Sequence, residues 1–456
     1  MVTRPRASVA LCLLFLASLP QAARADDGPP PASAPPSAAP PPPSEAPRAQ
    51  LTLDDALRSF DRQGFDLLLA DAQVDDARAG EAQAGRVLNP SLSVGVGRAF
   101  GYDPALCGAA CSPYQINATL SDEALLLDVL AGKRGSRLKA ARAAVQSAQA
   151  TREDTRRTLA TQVKLAYLDA AAAAAKVDYA REAQATMEKT LAVNKLRYPK
   201  VIDEGALARV ETQKLAADQV VDRAAQASNE ARVQLAFLIG LRTGRLGADV
   251  DKDALKFAVP SRLASPSVEA LKQSAREHRP DLRGVRFEKD RAEAQLDAAR
   301  RDRVPDVALN LFYQSQGFGQ NAIQPLTLGV GLSAPLPLFY QRQGEVGRAE
   351  ADKKTQSLTE QKLLARVDAD VEAAVAQLAS ARRMVERYEQ GGMLDRARRA
   401  RDISELQFNA GSAPLIDFLD AQRTFIALSQ DYVDARAAYW AAVFRLEEAV
   451  GMDLRR

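Results

Sequence analysis

Four short stretches of the chain alternate apolar residues with small or polar ones. Leu92, Val94 and Val96 alternate with Ser91, Ser93, Gly95 and Gly97, and Tyr114, Ile116, Ala118 and Leu120 with Gln115, Asn117, Thr119 and Ser121. Val307, Leu309, Leu311 and Tyr313 alternate with Ala308, Asn310, Phe312 and Gln314, and Leu326, Leu328, Val330 and Leu332 with Thr327, Gly329, Gly331 and Ser333. A period of two predicts strands with one apolar face and one small or polar face. Around them the spacing turns helical. Leu53, Ala56, Leu57 and Phe60 open a helix predicted over 53–87 and stopped by Asn89-Pro90. Residues 135–197 hold no proline, and a helix of that length reaches roughly 90 Å. A second helix follows over 206–238, closed by Gly240. The later part of the chain predicts helices over 268–303, bent before Pro280, over 345–408, weakened near Gly391-Gly392, and over 414–450 after the Gly411 turn.

The two sets of elements are similar in sequence. Residues 51–101 match 266–317 at a spacing near 215: Asp55-Ala-Leu57 with Glu269-Ala-Leu271, Phe65-Asp-Leu67 with Pro280-Asp-Leu282, Pro90 with Pro305. Further on the offset is about 210, where Thr212-Gln-Lys214 matches Ala421-Gln-Arg423 and Leu238-Ile-Gly240 matches Ala449-Val-Gly451. A unit of this size is too long for a solenoid repeat and implies duplication of a whole substructure. The domains expected are repeats over 51–260 and 261–456, each ordered helix, two strands, long helix, second helix.

Two architectures suit such strands. One is a small half-buried sheet on a helical body. The other is a membrane barrel wall, apolar toward lipid and polar toward a lumen. Strands of about 9–10 residues cross a bilayer when tilted. Phe100, Tyr102, Tyr114, Phe318, Phe339 and Tyr340 gather near strand ends, as interfacial aromatics do. Four strands cannot close a barrel, and bare sheet edges in lipid lose their hydrogen bonds, so the barrel reading requires several copies of the chain. The long helices need support along their length, either as a helical barrel beneath the strands or as a coiled-coil rod.

Residues 1–25 read as a secretory signal: Arg4 and Arg6, an apolar run over 7–19, and the small-x-small site Ala23-Arg24-Ala25. Cys12 lies in the apolar run behind Leu11, which is not small, so lipidation is not expected. Residues 26–50 hold ten prolines and read as a disordered tether. No later run is long and apolar enough for a transmembrane helix, so entry into a membrane would be by strands.

Charge narrows the function. Lys and Arg total 61 and Asp and Glu 58; removing Arg4, Arg6 and Arg24 of the leader leaves 58 against 58. A nucleic-acid partner would call for a basic excess. One histidine, His278, leaves no multi-histidine metal site, and its place before Pro280 reads as a solvated turn. Cys107 and Cys111 suit a local disulfide or free thiols in an exported protein and lack two further zinc ligands. The chain shows no Gly-x-Ser-x-Gly, phosphate loop or paired histidines, so no enzyme and no cofactor are expected.

Four features taken together resemble the TolC-like outer-membrane efflux proteins of Gram-negative bacteria. They are Leu-Thr-Leu-Asp-Asp-Ala-Leu57, Leu-Asn-Pro-Ser-Leu92, the duplicated strand–helix order, and Phe408-Asn-Ala-Gly-Ser-Ala-Pro-Leu-Ile-Asp-Phe-Leu-Asp-Ala-Gln-Arg423. The resemblance spans about 51–452. It implies a homotrimer whose three sets of four strands form one transmembrane β-barrel of twelve, continued by a periplasmic α-helical barrel. It also implies a periplasmic adaptor and an inner-membrane transporter of the RND or ABC class as partners, with outer-membrane lipid around the barrel and no chemistry performed. By that match the helix-joining turns form the periplasmic tip, with Tyr198, Gly205, Phe408 and Gly411 as its adaptor-contacting residues. Asp417 and Asp420 align with acids that ring the tunnel's narrow end. The basic residue that often ties the tip shut is replaced by Ser412-Ala413-Pro414, leaving Lys200, Asp203 and Glu204 of the other turn as alternative partners. The function implied is an exit duct of a tripartite efflux pump, with short length leaning toward the heavy-metal branch. Alternatives are the outer-membrane component of a type I secretion system and a periplasmic coiled-coil scaffold.

Overall fold

A computed structural model describes residues 50–455, apart from 88, 99, 101–104, 106–112, 123–131, 201, 264–266 and 316–326. The leader, nearly all of the tether, and Cys107 and Cys111 lie outside the described residues. The elements run β1 (Gln50–Leu51), α1 (Leu53–Gln63), α2 (Phe65–Ala84), β2 (Ser91–Arg98), β3 (Tyr114–Asp122), α3 (Lys133–Arg197) and α4 (Glu204–Leu238). They continue with β4 (Asp249–Val250), α5 (Val268–His278), α6 (Pro280–Arg301), β5 (Ala308–Ser315), β6 (Thr327–Ser333), α7 (Gln343–Gly391), α8 (Met393–Ala410) and α9 (Leu415–Val450).

Local chemistry explains where these elements start and stop. Thr52 caps α1, its hydroxyl accepting from the Asp55 N–H at 3.2 Å, and Asp54 and Asp55 sit against the positive end of the helix. The single helix expected over 53–87 is two, broken at Gly64, where the backbone turns extended over Phe60. A Cβ there would meet the Phe60 ring at 2.7 Å. The matching helix of the second half breaks at Arg279, before Pro280, because proline supplies no N–H and pushes the preceding residue out of the helical region. The helix expected over 345–408 is also two. Gly392 sits in the left-handed region at φ 53°, a conformation glycine adopts without penalty, and it separates α7 from α8. The tether ends one residue earlier than expected: Gln50 already pairs with Asp249, in parallel.

α3 has 65 residues, about 95 Å, and is packed by α2, α4, α6 and α9. Its buried face is largely alanine, including Ala166, Ala170, Ala171 and Ala175. Alanine favours helix and lets neighbouring helices approach closely, which accounts for its abundance in this chain. Around the middle of α3 the core gathers residues from both halves, among them Phe60, Leu235, Leu282, Val367 and Leu446. Two buried tyrosines pin the connecting segments to this core. Tyr167 donates to the Leu51 carbonyl at 2.8 Å and Tyr439 to the Ala258 carbonyl at 3.0 Å.

The strands form one antiparallel sheet in the order β2-β3-β5-β6. Its register lines up like faces. Leu92 faces Leu120, Leu120 faces Leu311, and Leu311 faces Val330, one apolar row across all four strands. The adjacent row on the other face is Ser93, Thr119, Phe312 and Gly329. The faces are those predicted from the alternation, and β3–β5 pairing joins the hairpins of the two halves.

Candidate functional site

Two regions carry the functional expectations: the sheet and the turns joining the long helices. The apolar face of the sheet is bare. Leu92 is 68% exposed and Val330 69%, and no described helix covers the rows they belong to. The outer strands β2 and β6 each pair on one side only among the described residues. The opposite face is hydrophilic, with Asn310 donating to the Ser333 hydroxyl at 3.0 Å and Ser93 to the Thr119 carbonyl at 3.4 Å. Its glycines make room for the side chains facing them. A Cβ on Gly329 would sit 2.2 Å from the Phe312 ring, and one on Gly95 would sit 2.5 Å from the Asn117 amide oxygen. The Phe312 ring therefore lies over Gly329 of β6. Phe100, Tyr114, Phe339 and Tyr340 are exposed, as interfacial aromatics would be; Tyr102 and Phe318 fall outside the described residues.

At the far end of the helices, α3 turns into α4 and α8 into α9. Gly411 closes α8 at φ 75°; its N–H donates to the Phe408 carbonyl at 3.0 Å, and the Ser412 N–H donates to the Gln407 carbonyl at 2.9 Å. Phe408 is turned inward. It stacks on Phe418, centroids 6.0 Å apart and planes at 6°, beside buried Met187 and Leu419. Its side chain is buried in the tip, whereas Tyr198 and Gly205 are exposed on the other turn. The tie between the two turns is Arg197, which the sequence reading did not single out. Its guanidinium donates to the Phe408 carbonyl at 3.4 Å and to the Asn409 carbonyl, and lies 6.0 Å from the Phe408 ring centre. Those carbonyls are the negative end of α8, so a cation suits them. Of the partners expected instead, Asp203 caps α4 by accepting from the Ala206 N–H at 2.6 Å. Lys200 and Glu204 form no ion pair among the described residues.

Asp417 and Asp420 are exposed in the opening turns of α9, on the side opposite Phe418 and Leu419. Neither is ion-paired among the described residues, so each chain presents two bare carboxylates beside the turn. The tip core beneath them is partly polar. Gln422 is buried with both amide atoms unpartnered, and the Asn409 amide oxygen is likewise unpartnered. A buried amide left without hydrogen bonds weakens the packing around it.

Charges buried at the middle brace the fold. Arg279, at the α5–α6 break, pairs with Asp281 at 2.7 Å and Asp370 at 3.3 Å and donates to the Ala449 carbonyl at 3.2 Å. Glu447 contacts Lys164 at 2.6 Å and Arg455 at 3.1 Å; burial raises its carboxyl above the ordinary range despite both cations. Burial also acts to raise Asp453, but hydrogen bonds from the Arg455 N–H and with Glu447, with the Arg455 charge, outweigh it and hold that carboxyl at about 2. His278 is exposed at the end of α5, its ring against the Ser274 carbonyl at 2.9 Å. Among the described residues there is no group of three His, Cys, Asp or Glu able to hold a metal, and no helix long and apolar enough to cross a membrane.

Residues 271–452 match the family described as outer membrane efflux protein. Over 420 residues the chain is 27% identical to the cobalt-zinc-cadmium resistance protein CzcC of Cupriavidus metallidurans, covering 88% of this chain and 90% of that protein. It is 27% identical over 238 residues to the pyoverdine export outer membrane protein OpmQ of Pseudomonas aeruginosa, covering 50% of this chain and 47% of that protein. Among solved structures, the outer-membrane channel OprN superposes with a TM-score of 0.69 at 18% identity, covering 89% of this chain and 91% of OprN.

Proposed function

We infer that this chain, an outer membrane efflux protein by its sequence match and an outer-membrane channel by its fold, is the exit duct of an efflux pump. It belongs in the outer membrane, where a passive conduit needs no catalytic group. The observation that carries this reading is the apolar row Leu92, Leu120, Leu311 and Val330, exposed along its length on a sheet whose outer strands each pair on one side only among the described residues. In lipid such a face is favourable, but such edges are not, since each unpaired N–H and C=O costs several kcal/mol. Three copies bring twelve strands, enough to close a barrel with the polar face inward. The helices of the three copies then form the periplasmic tunnel, and residues 1–25 act as the export signal.

On a three-fold axis the exposed Asp417 and Asp420 become a ring of carboxylates at the tunnel mouth, a cation-attracting constriction. The tip turns, with Tyr198 and Gly205 exposed, meet a periplasmic adaptor, which links the duct to an inner-membrane RND pump. The likeness to a cobalt-zinc-cadmium resistance protein over 88% of this chain favours divalent metal cations as cargo, for which a negative mouth is suited. Reconstitution in planar bilayers tests the reading. Discrete single-channel current steps support it, and their absence across ionic conditions and both polarities rejects it. Asp417→Asn with Asp420→Asn should weaken block by divalent cations added on the tip side; undiminished block rejects the ring.

A further inference from the structure

The sheet meets the helices in a belt where four passages of chain come together. Arg134 donates to the Gly85 carbonyl at 2.9 Å. Lys133 donates to the Val304 carbonyl at 2.6 Å and pairs with Asp306 at 2.8 Å. Arg342 lies 3.7 Å from Asp302. These contacts join the passages 85–87 with 89–90, 132–134, 300–306 and 334–345 through Gly85, Lys133, Arg134, Asp302, Val304, Asp306 and Arg342. Their sequence holds seven Lys or Arg against three Asp or Glu, whereas the chain beyond its leader balances at 58 against 58. Two of the arginines, Arg86 and Arg303, are exposed and have no ion pair among the described residues.

The same belt carries an apolar run that nothing described covers. In Pro335-Leu-Pro-Leu-Phe-Tyr340, Leu336 is 75% exposed, Leu338 73% and Phe339 97%. Three neighbouring large apolar side chains left bare are unusual for a soluble surface. They continue directly from β6, whose Leu332 ends the exposed apolar face of the sheet. Apolar side chains backed by exposed cations, Arg86, Arg303 and Arg342, match the boundary of a bilayer, with acyl chains on one side and phosphate on the other.

We propose that this belt binds anionic phospholipid headgroups of the membrane leaflet on the helical side, with Leu336, Leu338 and Phe339 set among the acyl chains and Arg86, Arg303 and Arg342 on the phosphates. The inference rests on the membrane-channel reading and adds a lipid preference to it. Three-fold repetition would make the belt a continuous basic collar, fixing the depth of the barrel and retaining a ring of acidic lipid.

The test uses the full-length assembled protein in nanodiscs of equimolar phosphatidylcholine and phosphatidylglycerol, with the lipid retained after mild detergent extraction quantified against the input. Phosphatidylglycerol should be enriched about threefold or more at low salt and less at high salt. Arg86→Gln, Arg303→Gln and Arg342→Gln combined should return the ratio to the input, and the matching Arg→Lys triple should keep the enrichment. Leu338→Ser with Phe339→Ser should reduce total retained lipid without changing the ratio. A wild-type ratio equal to the input, or enrichment surviving the glutamine triple, overturns the proposal. Failure of the wild-type protein to enter nanodiscs at all rejects the membrane-channel reading, and the collar with it.

Discussion

Arg197 joins two turns more than two hundred positions apart in the chain, through carbonyls that end α8. Hydrogen bonds from a charged donor contribute roughly 1.5–3 kcal/mol each. Arg197→Met should therefore weaken the link between the two turns by a factor of about ten or more. Faster amide exchange in the two turns than in wild type is the expected outcome, and unchanged exchange would remove Arg197 as their tie. Gly329 offers a second test at this scale. Gly329→Ala drives a methyl group into the Phe312 ring and should cost about 1–3 kcal/mol, lowering the thermal midpoint. Phe312→Ala in the same chain should restore most of it, a coupling that independent sites would not give. The sequence made the face of Phe312 and of Gly329 legible, because alternation fixes sides. It left their contact unread, because that depends on the register between strands. Asp417 and Asp420 were legible as neighbours on one exposed turn. Arg197 was not, since its partners are backbone groups of a distant segment; its one local mark was a cation in the last turn of a helix.

The strands were the most legible elements, since a two-residue period set against small and polar residues admits few other readings. The helices were legible in place but not in continuity. Pro280 and the Gly391-Gly392 pair announced their breaks, whereas Gly64 did not, because an isolated glycine is tolerated within many helices. Gly392→Ala places a side chain in left-handed backbone and should destabilise the α7–α8 joint by about 1 kcal/mol, seen as faster amide exchange confined to that joint. The clasp of the last residues on α9 gives a pH test. Asp453, held at about 2 against an ordinary 3.8, adds stability that is complete above about pH 4 and is lost as pH falls toward 2. Glu447 has the opposite sign: with its carboxyl raised, it favours the folded state less as pH climbs past the ordinary carboxylate range. Asp453→Asn should flatten the loss of thermal stability between about pH 4 and 2 relative to wild type; an unchanged acid limb would contradict the clasp.

For the whole molecule, the chain solves one problem and leaves another open. Its core is built from residues of both halves, with the two inner strands already joined across them. Its sheet is open: among the described residues β2 and β6 each pair on one side only, and the exposed face suits lipid. The expectation of further copies follows from four strands and the physics of lipid alone. The number of copies does not, because closure depends on tilt and stagger that one chain does not fix. The most direct measurement is the mass of the protein extracted from outer membranes, by native mass spectrometry under conditions that keep its assembly. Three chains per particle is the predicted result, and a single chain that remains stably inserted in lipid would contradict the account.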